Sequence, residues 1–489
     1  MELSYFFKGK MAKKRSSKER KSRPGEISFP QREITRLINQ DKRYLWHPFT
    51  QMQEWTKETP IIIKEAKGVY LKDLRGHSYL DGTSSIWVNL HGHQCQEIDE
   101  AIKSQLKKVA HSTLLGLSNI PAIRLAKALV RIAPKGLTRV FYSDDGSTAM
   151  EIAIKMAYQF WQLQKPAQPE KKIFVSFTNA YHGDTVGSVS VGGIDLFHQR
   201  FASLLFKTLK IPSPYCYRCH LDLNFPSCQL ACADEIEKTL RSHHPEIAAV
   251  VIEPKVQAAA GLITAPPGFL KRIRQICTDL NILLIADEVA TGFGRTGTMF
   301  ACQEDGVTPD ILALSKGITG GYLPLAATLT TDPVYKTFLG SYEEFKTFFH
   351  GHSYTGNPLG CAAALANLQI FKKGKVLTRL KGKATFLRKI LAALKDLPHV
   401  GDIRQAGFMV GIELVRKKKT KNPYPLTEKI GIRVCEEAKK RGMILRPLGN
   451  IIVLVPPFIS TRKELARMVE IIREAITQIT DKKVGNQRE

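Results

Sequence analysis

The chain reads as an α/β protein: a large domain wound around a mostly parallel sheet, plus a small α+β domain built from both chain ends. Three observations predict this. From about residue 95 to 370, short apolar runs alternate with amphipathic helix-like segments, as crossover units of a parallel sheet do. Between Pro60 and Leu80 the pattern is instead short strands joined by turns at Lys67-Gly68 and Arg75-Gly76. Past residue 375 the order becomes helix, strand, helix. The expected divisions are a basic, disordered tail at 1–40, the first part of the small domain at 41–85, the large domain at 86–370 and the rest of the small domain at 371–489.

A chain of 489 residues, 43% hydrophobic and 24% charged, has ample material for such cores. No apolar run approaches the roughly 20 residues of a membrane span, and no secretory segment opens the chain. Nine cysteines without a signal peptide suggest free thiols in a reducing compartment, so the expected location is cytoplasmic. The net charge is +27, and the head, up to residue 26, carries nine Lys and Arg against three Glu. No aromatic–basic RNA motif or recognition-helix pattern accompanies that charge, so nucleic acid is not an expected partner. The head stands open to three readings: a disordered extension, a transit peptide, or a segment upstream of a start at Met11.

Within the large domain the strand candidates are Arg139–Tyr142, Ile173–Phe177, Ala248–Ile252, Ile282–Asp287 and Ile311–Leu314. In the terminal region Gly407–Val415 and Ile451–Val455 read as strands, and the last thirty residues as a charged amphipathic helix. There is no internal repeat.

The chemistry gathers at the ends of these strands, which in open α/β sheets line the ligand crevice. Asp287 closes one apolar run, and Lys316, 29 residues later, closely follows another. An acid and an amine delivered to one pocket are what pyridoxal phosphate needs, the amine for a Schiff base and the acid to keep the ring nitrogen protonated. Taken singly, each is equally a strand-ending aspartate and a surface lysine. Gly146, Ser147 and Thr148 follow a short strand and open an amphipathic run, a ready phosphate site at a helix N-terminus, although Asp-Gly-Ser-Thr is also an ordinary turn and cap. Tyr181, in Tyr-His-Gly after Ile173–Phe177, offers a ring to stack on a planar group, or simply packs a loop with His182. Glu253 and Gln257 add polar groups on the same edge.

Together the segments GST, YHG, EP, DEVATGFGRTG, SKG and HGHSYTGNP resemble the class III aminotransferases of the pyridoxal-phosphate-dependent fold type I, from residue 41 onward. The resemblance implies pyridoxal 5'-phosphate as cofactor and Lys316, Asp287 and Tyr181 as catalytic residues. Lys316 would form the Schiff base and carry the proton, and Asp287 would pair with the ring nitrogen. Gly146 and Ser147 would hold the phosphate, with Tyr181 and Val289 on opposite ring faces. It further implies a homodimer with shared sites, in which His352 and Ser353 reach the neighbouring subunit's phosphate.

The segments YLWHPFTQM (44–52), DGTSSIWVNLHG (81–92) and LRPLGN (445–450) are similar to the 7,8-diaminononanoate synthases of biotin synthesis. This implies small-molecule substrates, 8-amino-7-oxononanoate and an amino donor, contacted by Phe49, Ile86, Tyr181, Lys316, Gly351 and Arg446. Arg446 would clamp the carboxylate of the oxo acid with its guanidinium fork. Phe49 and Ile86 stand where adenosylmethionine users carry tyrosine and tryptophan, which leaves lysine beside S-adenosylmethionine as donor. The alternatives are an ornithine- or 4-aminobutyrate-type transaminase, and a basic non-catalytic protein on the same fold.

Cys216, Cys219, Cys228 and Cys232 place four thiols within 17 residues. They read either as free thiols of an insertion, with no metal, or as a structural zinc site whose eight-residue middle gap is short for a finger or ribbon.

Overall fold

The computed structural model describes residues 29–481. The chain divides into two compact units. The described part of the first comprises residues 29–64 and 72–77; the second comprises 65–71 and residues from 78 on.

The first unit contains a helix, Gln31–Tyr44, and a short turn of helix, Met52–Trp55. The long helix begins inside the stretch read as a tail, because Ile34, Leu37 and Ile38 recur at helical spacing and Ile34 is buried. The part of the expected tail before residue 29 lies outside the described residues. Asp41 accepts from Trp55 Nε1 at 2.8 Å and pairs with His47 Nε2 at 3.0 Å, which ties the helix to the segment that follows it.

In the second unit a seven-stranded sheet runs in the order Leu137–Ser143, Ala326–Thr331, Ile311–Leu314, Leu283–Asp287, Ile247–Ile252, Ile173–Phe177, Thr208–Ile211. Only Ala326–Thr331 is antiparallel to its neighbours. Successive residues of the central strands enter two different cores. Leu284, Ala286, Leu312 and Leu314 pack with Leu125, Leu129 and Phe177. Leu283, Ile285, Ile311 and Ala313 pack with Met150, Ala153 and Ala157 of the helix Gly146–Leu163. With both faces covered, period-2 alternation disappears and the strand becomes an unbroken apolar run.

Five expected strands are present within a residue or two of their ends. Thr208–Ile211 and Ala326–Thr331 were not expected, being half polar. The segment Gly407–Val415 proves to be two elements: Val400–Ala406 and Met409–Lys417 form a hairpin whose turn contains Gly407 at φ 56°. Strands at Ile63–Lys67, Tyr70–Asp73 and Ser78–Asp81, and the last helix, Arg462–Asp481, follow the sequence. The late strand Met443–Ile444 pairs in parallel with Ser78–Asp81, joining distant parts of the chain. Among the described residues no helix is long and apolar enough to cross a membrane.

Asn367, fully buried on the helix Pro358–Lys373, braces the turn Lys316–Thr319. Its Nδ2 donates to Gly317 O at 2.9 Å and Ile318 O at 2.8 Å, while Oδ1 lies 2.7 Å from His91 Nε2. Burial holds the His91 pKa down, so the neutral ring donates from Nε2. Replacing Asn367 with Ala leaves two carbonyls and an imidazole N–H buried and unmet. The expected cost is about 3 kcal/mol, read as a lower urea midpoint at unchanged slope.

Candidate active site

A cavity of about 510 Å³ opens at the carboxyl ends of the central strands. Its floor follows from strand register. Asp287 is paired with Ala313, and Lys316 lies three residues beyond that partner, so both side chains reach the same edge. Both line the cavity, with Gly146, Ser147, Tyr181 and Val289.

Lys316 leaves its strand at φ 43° and enters a tight 3₁₀ turn. Its Nζ lies 5.0 Å from the centre of the Trp87 ring. Burial pulls the amine pKa down, Asp287 and Glu253 oppose that, and the buried Arg295 adds to it. Arg295 donates to Pro456 O at 3.0 Å and Asn89 O at 2.9 Å, so its charge is held by carbonyls and not by a carboxylate.

Asp287 Oδ1 accepts from Val289 N at 3.0 Å, and Oδ2 lies 2.7 Å from His182 Nδ1. The carboxylate oxygen accepts, which assigns the Nδ1 proton to His182 and leaves its buried Nε2 without a partner among the described residues. His182 was expected to do no more than pack a loop. Its bond to Asp287 joins residues 105 apart, and no local pattern signals it.

Gly146 and Ser147 open an 18-residue helix capped by Asp145, whose side chain accepts from Thr148 N at 3.0 Å. Ala149 N goes to Asp145 O, so the first two N–H groups of the helix remain for a ligand. A Cβ on Gly146 would stand 2.6 Å from Val289 Cγ1. Across the cavity, Tyr181 donates to Asp184 Oδ2 at 2.7 Å and is backed by the stacked His198 ring. Burial, with Asp184, pushes its phenol pKa up. These features fit a planar, anionic cofactor: N–H groups at a helix start, a flat cradle between Tyr181 and Val289, an acid for a ring nitrogen and an amine for an aldehyde.

Glu253 closes the strand Ile247–Ile252 and is buried. Its oxygens accept from Tyr181 N at 3.1 Å and Ala258 N at 2.8 Å. Gln257 lies behind the cavity, donating to Thr178 O at 3.0 Å.

Other expected site residues do not line this cavity. Ile86 is 44% exposed in the turn that carries Trp87. Arg446 is exposed and makes no ion pair among the described residues, although its charge is felt at Tyr181. It begins a strand, Arg446–Leu448, where the sequence suggested a position ahead of one. Gly351 lies in a separate cavity of about 300 Å³ with Leu115 and His350. His352 Nδ1 lies 3.4 Å from Asp144 Oδ2, and Ser353 is exposed. Phe49 belongs to the first unit, with φ 50° and 56% exposure.

The four insertion cysteines share one small cavity of about 20 Å³. Burial raises the Cys216 thiol pKa and raises that of Cys232 to about 11, so both are protonated near neutrality. His220 lies 2.7 Å from Glu235 Oε2. Among the described residues no group of three or more His, Cys, Asp or Glu is arranged to hold a metal.

Comparison with known proteins agrees with this geometry. The aminotransferase class-III family matches residues 51–476. A protein of Geobacter sulfurreducens named adenosylmethionine-8-amino-7-oxononanoate aminotransferase is 53% identical, covering 92% of this chain and all of its own. The crystal structure of the Methanocaldococcus jannaschii protein of that name superposes with a TM-score of 0.87 at 48% identity, covering 91% of this chain and 99% of its own. An amine transaminase from an uncultivated Pseudomonas species, solved in its PLP-bound form, superposes at 0.85 with 34% identity, covering 89% and 99%.

Burial, and then Asp287, push the Glu253 pKa up to about 7. Its proton is therefore held more tightly in the folded protein. The resulting stability is complete below the unfolded carboxyl pKa and is lost as pH rises through about 7. In the ligand-free protein, raising the pH from 5 to 8 should favour Glu253→Gln over the wild type by up to about 3 kcal/mol. Urea unfolding at the two pH values measures this, and the constant cost of any hydrogen bond lost with Gln cancels in the difference.

Proposed function

The chain belongs to the class-III aminotransferases, and from that premise we propose that it aminates 8-amino-7-oxononanoate to 7,8-diaminononanoate in biotin synthesis, with S-adenosylmethionine as donor. The observation that carries the substrate reading is the match, at about half identity and over nearly whole chains, to proteins named for that substrate.

Pyridoxal phosphate, the cofactor of this family, supplies when bound an aldehyde carbon and an electron-withdrawing ring. Of the residues present, Lys316 would hold the aldehyde, Asp287 the ring nitrogen, Tyr181 and Val289 the two faces, and Gly146 and Ser147 the phosphate. The physical case for Lys316 is its depressed pKa. A buried amine beside Arg295 is unprotonated more readily than a surface lysine, so Nζ can take a proton from the reacting carbon and return it. Asp287 is kept in place by His182 and Val289 N, and so its position does not depend on the ligand.

Arg446, exposed and without an ion pair, is the candidate clamp for the oxo acid's carboxylate, with Gly351, Phe49 and Ile86 as further substrate contacts. A homodimer accounts for His352 and Ser353, which would complete the phosphate site of a second copy. Exposed Leu115, Leu117, Ile120, Ile123 and Phe349 give such a copy an apolar surface to cover. The cytoplasm is the proposed location.

Phe49 and Ile86 favour a second reading of the donor alone, lysine in place of S-adenosylmethionine. Mixing the cofactor-loaded enzyme with each donor, without acceptor, tests this: the true donor discharges the visible cofactor band, and bleaching by lysine only would overturn the adenosylmethionine assignment. Lys316→Ala is expected to lose that band and to reduce turnover by at least about a thousandfold, with far-UV circular dichroism unchanged. Retained turnover would remove Lys316 from its role.

A further inference from the structure

The turn that carries Ile86 and Trp87 has a backbone that its own residues disfavour. Ser84, Ser85, Ile86 and Trp87 have φ of 49°, 49°, 65° and 69°. None is glycine, and Ile86 is β-branched, for which a left-handed backbone is a genuine outlier. Four such residues in succession form a left-handed turn: Trp87 N donates to Thr83 O at 2.8 Å and Val88 N to Ser84 O at 3.0 Å. A conformation of this kind persists only where its surroundings over-determine it.

The surroundings converge on Asp81, which is fully buried. Oδ1 accepts from Ser85 N at 3.0 Å and Thr83 N at 3.3 Å, and Oδ2 accepts from Ser85 Oγ at 2.9 Å. His93 Nε2 lies 3.2 Å from Oδ2. Burial works against the charge, but His93 and Ser85 outweigh it and hold the carboxyl pKa below its usual value. Asp81 is itself fixed by strand pairing with Ile444. Ser84 Oγ anchors the turn's start to Val455 O at 2.6 Å. At the exit, Gly321 packs so closely that an added Cβ would meet Asn89 at 2.9 Å. Trp87, at the end of the turn, faces Lys316 Nζ.

We propose that Asp81 is a positioning residue for the substrate end of the site: through Ser85, and with His93, its carboxylate holds the left-handed turn that sets Trp87 beside Lys316, and so determines how tightly the oxo acid binds. The inference rests on the transaminase reading for the identity of that acid. A carboxylate that merely filled a polar hole in the core would affect stability alone.

Glycine separates the two roles, because it adopts φ near +49° without steric cost. The variants are Asp81→Asn, Ser85→Gly, Ser85→Ala and the double Asp81→Asn/Ser85→Gly, all assayed as cofactor-loaded enzyme. Asp81→Asn is expected to raise KM for 8-amino-7-oxononanoate about tenfold, the equivalent of one charge-assisted hydrogen bond, with kcat changed far less. The cofactor band should persist, and amide exchange at Trp87, Val88 and Asn89 should quicken. In the double variant KM should recover most of the way. An unchanged KM in Asp81→Asn, or a double variant as poor as the single, overturns the proposal. Should Asp81→Asn fail to fold, Ser85→Ala and Ser85→Gly decide: both lose the hydroxyl, only glycine relieves the strain, and equal KM values overturn the proposal. A wild-type enzyme inactive on the oxo acid overturns the substrate reading instead, and amide exchange then judges the clamp by itself.

Discussion

The structure depends first on keeping a carboxylate at the buried end of a central strand. Asp287 is 4% exposed, and an unpaired charge there would cost several kcal/mol. Two donors meet the cost before any ligand arrives: Val289 N, two residues on, and His182, brought from the next loop region by the parallel pairing of the strands. The acid is therefore rigid and ready. In-register pairing with the strand Ile311–Leu314 then fixes where Lys316 must emerge.

Around Lys316 the charges are balanced so that no one of them dominates. Asp287 and Glu253 would stabilise an ammonium, whereas Arg295 and the apolar walls oppose it. Glu253 spends its oxygens on backbone N–H groups of Tyr181 and Ala258, and Arg295 spends its N–H groups on carbonyls. Neither forms an ion pair with the lysine. The amine thus stays free to exchange protons, which a tight Lys–Asp bridge would prevent.

What the sequence revealed follows the same division. Strands buried on both faces are continuous apolar runs, so Ile173–Phe177 and Ile311–Leu314 were legible to the residue. Ala326–Thr331 was not, because Thr328 is buried and satisfies its hydroxyl on Ala149 O. Val400–Ala406 was hidden for a similar reason: its Arg404 is buried against Glu413 of the neighbouring strand. Lys316, Asp287, Gly146, Ser147 and Tyr181 were readable since each sits at the end of a regular element. The support given by His182 and Asn367 was not, since those bonds join residues 105 and 49 or more apart. The turn at Ser84–Trp87 is the extreme case: it contains no glycine to announce its φ values.

The two ends of the cavity are consequently built by different physics. The end fitted to the cofactor rests on strand register and a capped helix, which many sequences can satisfy and which tolerate change elsewhere. The opposite end rests on a backbone that costs roughly 1–2 kcal/mol per left-handed residue and is retained by a few side-chain bonds. A site made this way can keep its chemistry while its choice of substrate changes. Regular elements fix the reacting groups, and a strained turn, easily relaxed by one glycine or one lost carboxylate, fixes what is presented to them. That separation is why identity in the strand-end motifs identifies the reaction, whereas the substrate has to be argued from turns and exposed positions such as Ile86 and Arg446.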